Sequence, residues 1–195
     1  MAKLIAICGP DKVGKETQSR MLVAHLKSEG YRSIRYEIPY NDNFSHKLIY
    51  WMLRNGYAKT HPGLFQWIQF VNKRIFERFE LKKAMCEYDY IVLDRWSLSA
   101  LIYGMATGVG RADCEDQFAA LIRPDATIVL VGKALSDKKD DVYEADTYIQ
   151  RRVRELYTDW AINNTHNGGR LIHASGNRGE VHLNVLDALR HIGVL

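Results

Sequence analysis

Gly9, Gly14 and Lys15 carry the densest chemical signal in this chain. They belong to Gly9-Pro10-Asp11-Lys12-Val13-Gly14-Lys15-Glu16-Thr17, which follows an apolar run at 4–8 and precedes a segment at 18–29 that reads as a helix. Glycines at both ends of a loop let the backbone wrap an anion with its N–H groups. The helix N-terminus behind the loop adds partial positive charge, and Lys15 adds a full one. Strand, glycine-rich loop, lysine and helix together cradle a polyphosphate. The usual pattern places Ser or Thr after the lysine to ligate magnesium, and here Glu16 stands in that place. A tight turn before a helix is the plain alternative, and the strand–loop–helix context argues against it.

In an open α/β sheet, ligands gather at the carboxyl ends of strands, so charges just past other apolar runs come next. Asp94-Arg95 follows the run 90–93, with Ser97 and Ser99 beyond it. Asp94 can hold magnesium or its waters and Arg95 can clamp phosphate; a solvated pair capping the next helix is the alternative. Phe70 and Arg74 are spaced to share a helix face, where one could stack a base and the other reach its edge or its phosphate. Phe65, Ile68, Phe76 and Phe79 assign most of that stripe to the core. The segment 133–141, with Lys138 and Lys139, is either a solvated charge run or a mobile lid over phosphates. The histidines show no ligand spacing, and the aromatic residues are not interleaved with basic ones as on a platform for single-stranded nucleic acid.

These residues need elements to hold them. Runs at 4–8, 34–38, 90–93, 127–131 and 171–174 read as strands, the third apolar on both faces as in a central parallel strand. Helices are expected over 18–29, 44–54, 64–87, 97–106 and 181–191, with a weaker one over 111–122. Another should carry Ile149, Val153, Leu156 and Trp160 at helical spacing. Strands alternating with helices, without a repeat or linker, predict one α/β domain over residues 1–195, a parallel sheet covered on both faces.

Composition sets the class. The 195 residues are 47% hydrophobic and 26% charged, as in an ordinary soluble domain long enough to bury a core. A net charge of +4 suits a protein handling polyphosphates and is too weak to argue for nucleic acid. Cys8, Cys86 and Cys114 lack metal-ligand spacing and read as reduced thiols. No apolar run approaches the ~20 residues of a membrane span, and no signal-peptide pattern opens the chain. A cytoplasmic protein that binds neither membrane nor nucleic acid is expected.

Taken in order, the motifs resemble those of the thymidylate kinases, and the match runs nearly the whole chain. The family's Gly-x-Asp-x-x-Gly-Lys-x-Thr-Gln stands here as Gly9 to Gln18. Its Asp-Arg-aromatic motif stands as Asp94-Arg95-Trp96, then Ser99 and Tyr103. Phe70 and Arg74 match its base-reading helix, Arg123-Pro124-Asp125 its lead into a strand, Tyr143-Glu144 the residues after its lid, and Ala174-Ser175 the turn that cradles adenine. The resemblance implies a P-loop NTPase-type three-layer sandwich with a five-stranded sheet. It implies an enzyme passing the γ-phosphoryl of ATP to dTMP, with Mg2+ as cofactor, nucleotides as its small-molecule partners and a homodimer as its assembly. The lid would be 133–141. Lys15 and the loop 9–17 would hold the phosphates of ATP, with Pro10, Val13 and Glu16 among the contacts and a hydroxyl from Thr17. Asp11 would face the acceptor's deoxyribose and the metal, while Lys12 takes the place of a loop arginine. Arg95 would clamp phosphates, Phe70 would stack on thymine, Arg74 would bond its edge, Tyr103 would lie against C2′, and Pro39 would border the acceptor. The metal candidates are Asp94 and Glu16.

Three departures bear on the acceptor. Glu16 replaces Ser/Thr, Asn41 stands where the family has a phosphate-binding arginine, and Val142 replaces an arginine before Tyr-Glu. Another pyrimidine deoxynucleotide (dUMP or a 5-substituted dUMP), a deoxynucleoside acceptor and a non-catalytic nucleotide-binding regulator therefore stay open.

Overall fold

The computed structural model describes residues 2–40, 44–135 and 141–195. Its strands are β1 Lys3–Cys8, β2 Ser33–Glu37, β3 Tyr90–Asp94, β4 Ala126–Val131 and β5 Gly169–His173. They form one parallel sheet in the order β2-β3-β1-β4-β5. The helices are α1 Lys15–Ser28, α2 Phe44–Arg54, α3 Tyr57–Thr60, α4 Pro62–Phe76, α5 Lys82–Glu87, α6 Ser97–Ala106, α7 Arg111–Ala119, α8 Val142–Ala145, α9 Thr147–Asn163 and α10 Arg178–Ile192.

The period of two in the strands divides the core into two layers. Ile5, Ile7, Val92, Ile128 and Leu130 point to one face and pack with Leu22 and Leu26 of α1 and Val185 and Leu189 of α10. Leu4, Ala6, Cys8, Ile91, Leu93, Val129 and Val131 point to the other, against Phe76, Ile102, Val153 and Tyr157 from α4, α6 and α9. β1, β3 and β4 are buried on both faces, which is why they read as unbroken apolar runs.

Where structure and sequence reading differ, local chemistry accounts for most of the difference. The expected helix over 64–87 contains a wide π turn at Glu77–Leu81 between α4 and α5. In that turn buried Glu77 accepts hydrogen bonds from Arg74 and from the Ile122 N–H, tying α4 to the segment after α7. α10 begins three residues earlier than expected because Asn177 and Glu180 form a capping box, a signal readable as Asn-x-x-Glu. On α9 the buried seam is Ile149, Val153, Tyr157 and Ala161, and Leu156 and Trp160 pack at its edge. The short helices α3 and α8 were not anticipated; Asp141 caps α8 by accepting from the N–H groups of Tyr143 and Glu144.

The chain leaves β1 for β2, beyond β3, and later returns to place β4 on the other side of β1. That reversal opens a crevice above the carboxyl ends of β1, β3 and β4. No helix of the described residues is long and apolar enough to cross a membrane.

Candidate active site

The loop after β1 is shaped by two glycines. Gly9 has φ +144° and lies so close to β4 that a Cβ there would collide with the Leu130 carbonyl oxygen. Gly14, at φ +91°, is the left-handed residue from which α1 starts. Between them Val13 is buried in the core, its side chain turned away from the loop's open side. Lys15 folds back over the loop, its Nζ donating to the Pro10 carbonyl. Burial, with the nearby Arg95 charge, pushes its ammonium down to about 7 against the pull of Asp11 and Asp94. Thr17 is exposed on α1 and outside the cavity lining.

Above the loop lies a cavity of about 480 Å³, within the size range of small-molecule sites. Asp11, Lys12, Lys15, Asp94, Arg95, Ser99 and Tyr103 all line it. Asp11 is the hub: it accepts from Arg95, from Tyr103 Oη at 2.5 Å and from Gln150 Nε2 at 3.0 Å. Burial opposes ionisation of Asp11, but Arg95, Lys15 and these donors outweigh it and hold the carboxyl well below the usual range. Arg95 adopts φ +68°, a left-handed backbone that turns its side chain across the loop, and its guanidinium lies over the Tyr103 ring. Lys12, at φ +60°, pairs with Glu144 at 2.8 Å, linking the loop to α8. Ser99 accepts from the buried Tyr157 hydroxyl.

The other half of the cavity is walled by Ile38, Pro39, Ile49, Tyr50, Leu53, Arg54, Phe65, Gln69, Lys73 and Tyr143. Here the sequence reading needs correction. Phe70 packs partly buried against the core, and Arg74 is half exposed, bound to Glu77 and to the Ala120 carbonyl. Neither lines the cavity. The face of α4 turned to it is Phe65, Gln69 and Lys73, one residue out of register from the expected pair. Buried Asn72 sets that register, bonding the Tyr40 backbone through its side-chain amide and Ser45 Oγ through Nδ2.

The metal candidates are also corrected. Asp94 is buried and pairs with Arg35 at 2.6 Å, with Ser19 beside it. Glu16 also lines the cavity, at its exposed rim, and pairs with Arg20 at 2.8 Å. Among the described residues no group of three or more His, Cys, Asp or Glu is placed to hold a metal ion. Neither Asp94 nor Glu16 fits a cation ligated directly by the protein, because each already has a cationic partner.

Ala174 and Ser175 follow β5, where the Ala174 N–H bonds the Val131 carbonyl beside Gly132. They lie outside the cavity lining, on the β4–β5 side of the loop. Asn41, Lys138, Lys139 and most of the expected lid lie outside the described residues. Of that segment, Leu135 donates its N–H to the Lys12 carbonyl, and Asp141 lines the cavity. Sequence reasoning missed Arg35, Arg54, Gln69, Lys73 and Gln150. Arg35 looked like the outward residue of an alternating strand. The only signal for Gln69 and Lys73 was a polar pair at i, i+4 within an apolar helix.

Comparison with known proteins gives one consistent result. The sequence profile of the family described as thymidylate kinase matches residues 7–175. The thymidylate kinase of Plasmodium falciparum is 24% identical over 165 residues, covering 82% of this chain and 77% of that one. The solved thymidylate kinase of Candida albicans superposes with a TM-score of 0.81 at 19% identity, covering 99% of this chain and 93% of the other. That of Ehrlichia chaffeensis gives 0.75 at 20% identity, covering 96% and 98%.

Proposed function

The chain belongs to the thymidylate kinase family, and on that premise we propose that it passes the γ-phosphoryl group of ATP to dTMP across the cavity above β1 and β3. One observation carries this reading: buried Lys15 at the phosphate loop and half-buried Arg95 at the next strand end share a cavity whose far side is largely apolar. Phosphoryl transfer needs no covalent residue, only in-line placement and positive charge around the shifting oxygens.

The donor belongs on the β1–β4–β5 side. Loop amides 9–14 and Lys15 receive its phosphates, and Ala174-Ser175 receive adenine. The acceptor belongs over β3 and β2, between Pro39, Phe65, Ser99 and Tyr103. In the free enzyme the charges meant for phosphate are held by carboxylates, Arg95 by Asp11 and Lys12 by Glu144. An entering phosphate takes over these cations. Asp11 keeps Tyr103 and Gln150 as donors when Arg95 turns away, so it stays ionised and free to accept from a sugar hydroxyl. Tyr103 then lies beside the sugar. Magnesium carried on the triphosphate is the expected cofactor, and it would supply charge neutralisation there. A homodimer is proposed on the family resemblance, and sedimentation of the purified chain decides between one copy and two.

The test is ADP release with ATP, magnesium and a panel of nucleosides and monophosphates, in which dTMP should react fastest. Turnover of unphosphorylated nucleosides alone, or none at all, would overturn the proposal. Gln69 and Lys73 in place of an aromatic residue and an arginine favour a second reading, dUMP or a 5-substituted dUMP as acceptor, which the same panel separates.

A further inference from the structure

Arg35 stands on an outer strand of the sheet, yet its side chain runs inward and is only 14% exposed. Its guanidinium meets oxygens from three elements. Nη2 lies 2.6 Å from Asp94 Oδ2 at the end of β3 and 3.2 Å from Glu37 Oε2 at the end of β2. Nε donates to Ser19 Oγ of α1 at 2.7 Å. Ser19 is fully buried and donates its own hydroxyl to the Glu16 carbonyl at 2.9 Å, in the first turn of the helix behind the phosphate loop. Asp94 therefore reaches the cavity already neutralised. Asp11, the acid of the loop itself, is neutralised in the same way by Arg95. A carboxylate that ligates a divalent cation needs its charge and lone pairs for the metal. At Asp94 a buried guanidinium already takes them, and moving it aside would leave a desolvated charge unpaired. Unlike a lysine, an arginine cannot escape that cost by losing its proton.

We propose that Arg35 is a resident counter-cation for Asp94, standing where a divalent metal would otherwise be drawn, so that the free chain is closed to metal at this strand end. This goes beyond the kinase reading and leans on it only for the expectation that metal arrives with the triphosphate. Arg35 is outside the cavity lining, so it is a positioning residue that acts through Asp94 and Ser19. With the Asp94 charge cancelled locally, an entering phosphate meets Arg95 at the end of β3 and no competing carboxylate. The bond to Ser19 ties the same guanidinium to α1, which holds Asp94 beside the first turn of that helix and off the loop. Without Arg35, Asp94, Glu37 and the Ser19 hydroxyl would be left as oxygens around a space that holds no cation. Such a set suits a hard divalent ion.

Binding of Mn2+ to the full chain, read as loss of the free ion's electron paramagnetic resonance signal, tests this without turnover. Wild type without nucleotide should take up no stoichiometric Mn2+, and with ATP it should take up the ion together with the nucleotide. Arg35→Met should bind Mn2+ in the absence of nucleotide at least about tenfold more tightly than wild type, because its acids lack their cation. Adding Asp94→Asn to that variant should abolish the gain. Arg35→Lys keeps the charge and should leave the free chain closed. Stoichiometric uptake by the nucleotide-free wild type, lost in Asp94→Asn, makes Asp94 a metal ligand and overturns the proposal. A folded Arg35→Met that binds no Mn2+ makes Arg35 a structural strut and overturns it too. If Arg35→Met does not fold, Arg35→Gln, which keeps a donor for Ser19, takes its place in the same comparison. A wild-type chain that takes up no Mn2+ even with ATP refutes the kinase reading, and the comparison between free chains still decides this one.

Discussion

At the residue scale the proposed site is a set of basic side chains, Arg95 and Lys12 held by internal carboxylates, Lys15 and Lys73 pushed toward neutrality by burial. Lys15 has the plainest proposed role, since its ammonium is buried against the loop assigned above to the donor's phosphates. A charge that stabilises oxygens only as they shift contributes to the transition state more than to binding. Lys15→Ala should therefore lower kcat/KM at least about a thousandfold. The folded state loses only a desolvated ammonium, so circular dichroism and the melting temperature should be near those of wild type. Near-normal turnover by that variant would sink the kinase reading.

At the element scale, legibility followed periodicity. β1, β3 and β4 were plain because strands buried on both faces must be continuously apolar, and no other arrangement of Ile128-Val129-Leu130-Val131 is as economical. The turn at 9–15 was legible because its backbone requires glycine where φ is positive. The face of α4 was not. Phe65, Ile68, Phe70 and Phe76 form a stripe wide enough that 3.6-residue periodicity allows two phases, and the buried bonds of Asn72 decide between them from tertiary context. Arg35 was hidden for a similar reason: its partners Ser19 and Asp94 come from other elements. The capping box of α10 is local and makes an element-level prediction. Asn177 accepts from the N–H groups of Gly179 and Glu180, while Glu180 answers the Asn177 N–H. Asn177→Ala should cost about 1 kcal/mol, lowering the melting temperature by roughly 2–4 °C in a chain of this size. An unshifted melting curve would mean that the first turn of α10 is held by Gln18, which bonds the Arg178 carbonyl, and not by its cap.

At the scale of the whole molecule, the cost of holding cations ready for phosphate should be visible as a pH dependence of stability. Burial pushes Lys15 and Lys73 each down to about 7, from an unfolded value of 10.5. The groups acting on Lys15 are Arg95, Asp11, Asp94 and Cys8; those on Lys73 are Arg95 and Cys8. Below pH 7 both lysines are charged in the folded and unfolded chain, and the folded state carries the full desolvation penalty. Between about pH 7 and 10.5 the unfolded chain binds more protons than the folded one, so stability rises with pH. The slope is at most about 1.4 kcal/mol per pH unit for each lysine. Buried thiols and phenols oppose this at the alkaline end, Cys8 and Tyr157 among them. Burial raises Cys8 to about 11 from 9.0 and raises Tyr157 further above its ordinary value, so the unfolded chain ionises them first and stability falls again. The nucleotide-free protein should therefore melt higher at pH 9 than at pH 7, then lower as pH climbs past 10. Lys73→Met should flatten the rise by about half. Saturating ATP should flatten it as well, because triphosphate oxygens return the proton to Lys15, and calorimetry in buffers of different ionisation enthalpy should show proton uptake on binding at pH 8. A melting temperature that is level or falling from pH 7 to 9, with the same profile in Lys73→Met, would mean that these lysines are not desolvated in the free enzyme. The account of a cavity whose lysines wait, desolvated, for phosphate would then fail at its base.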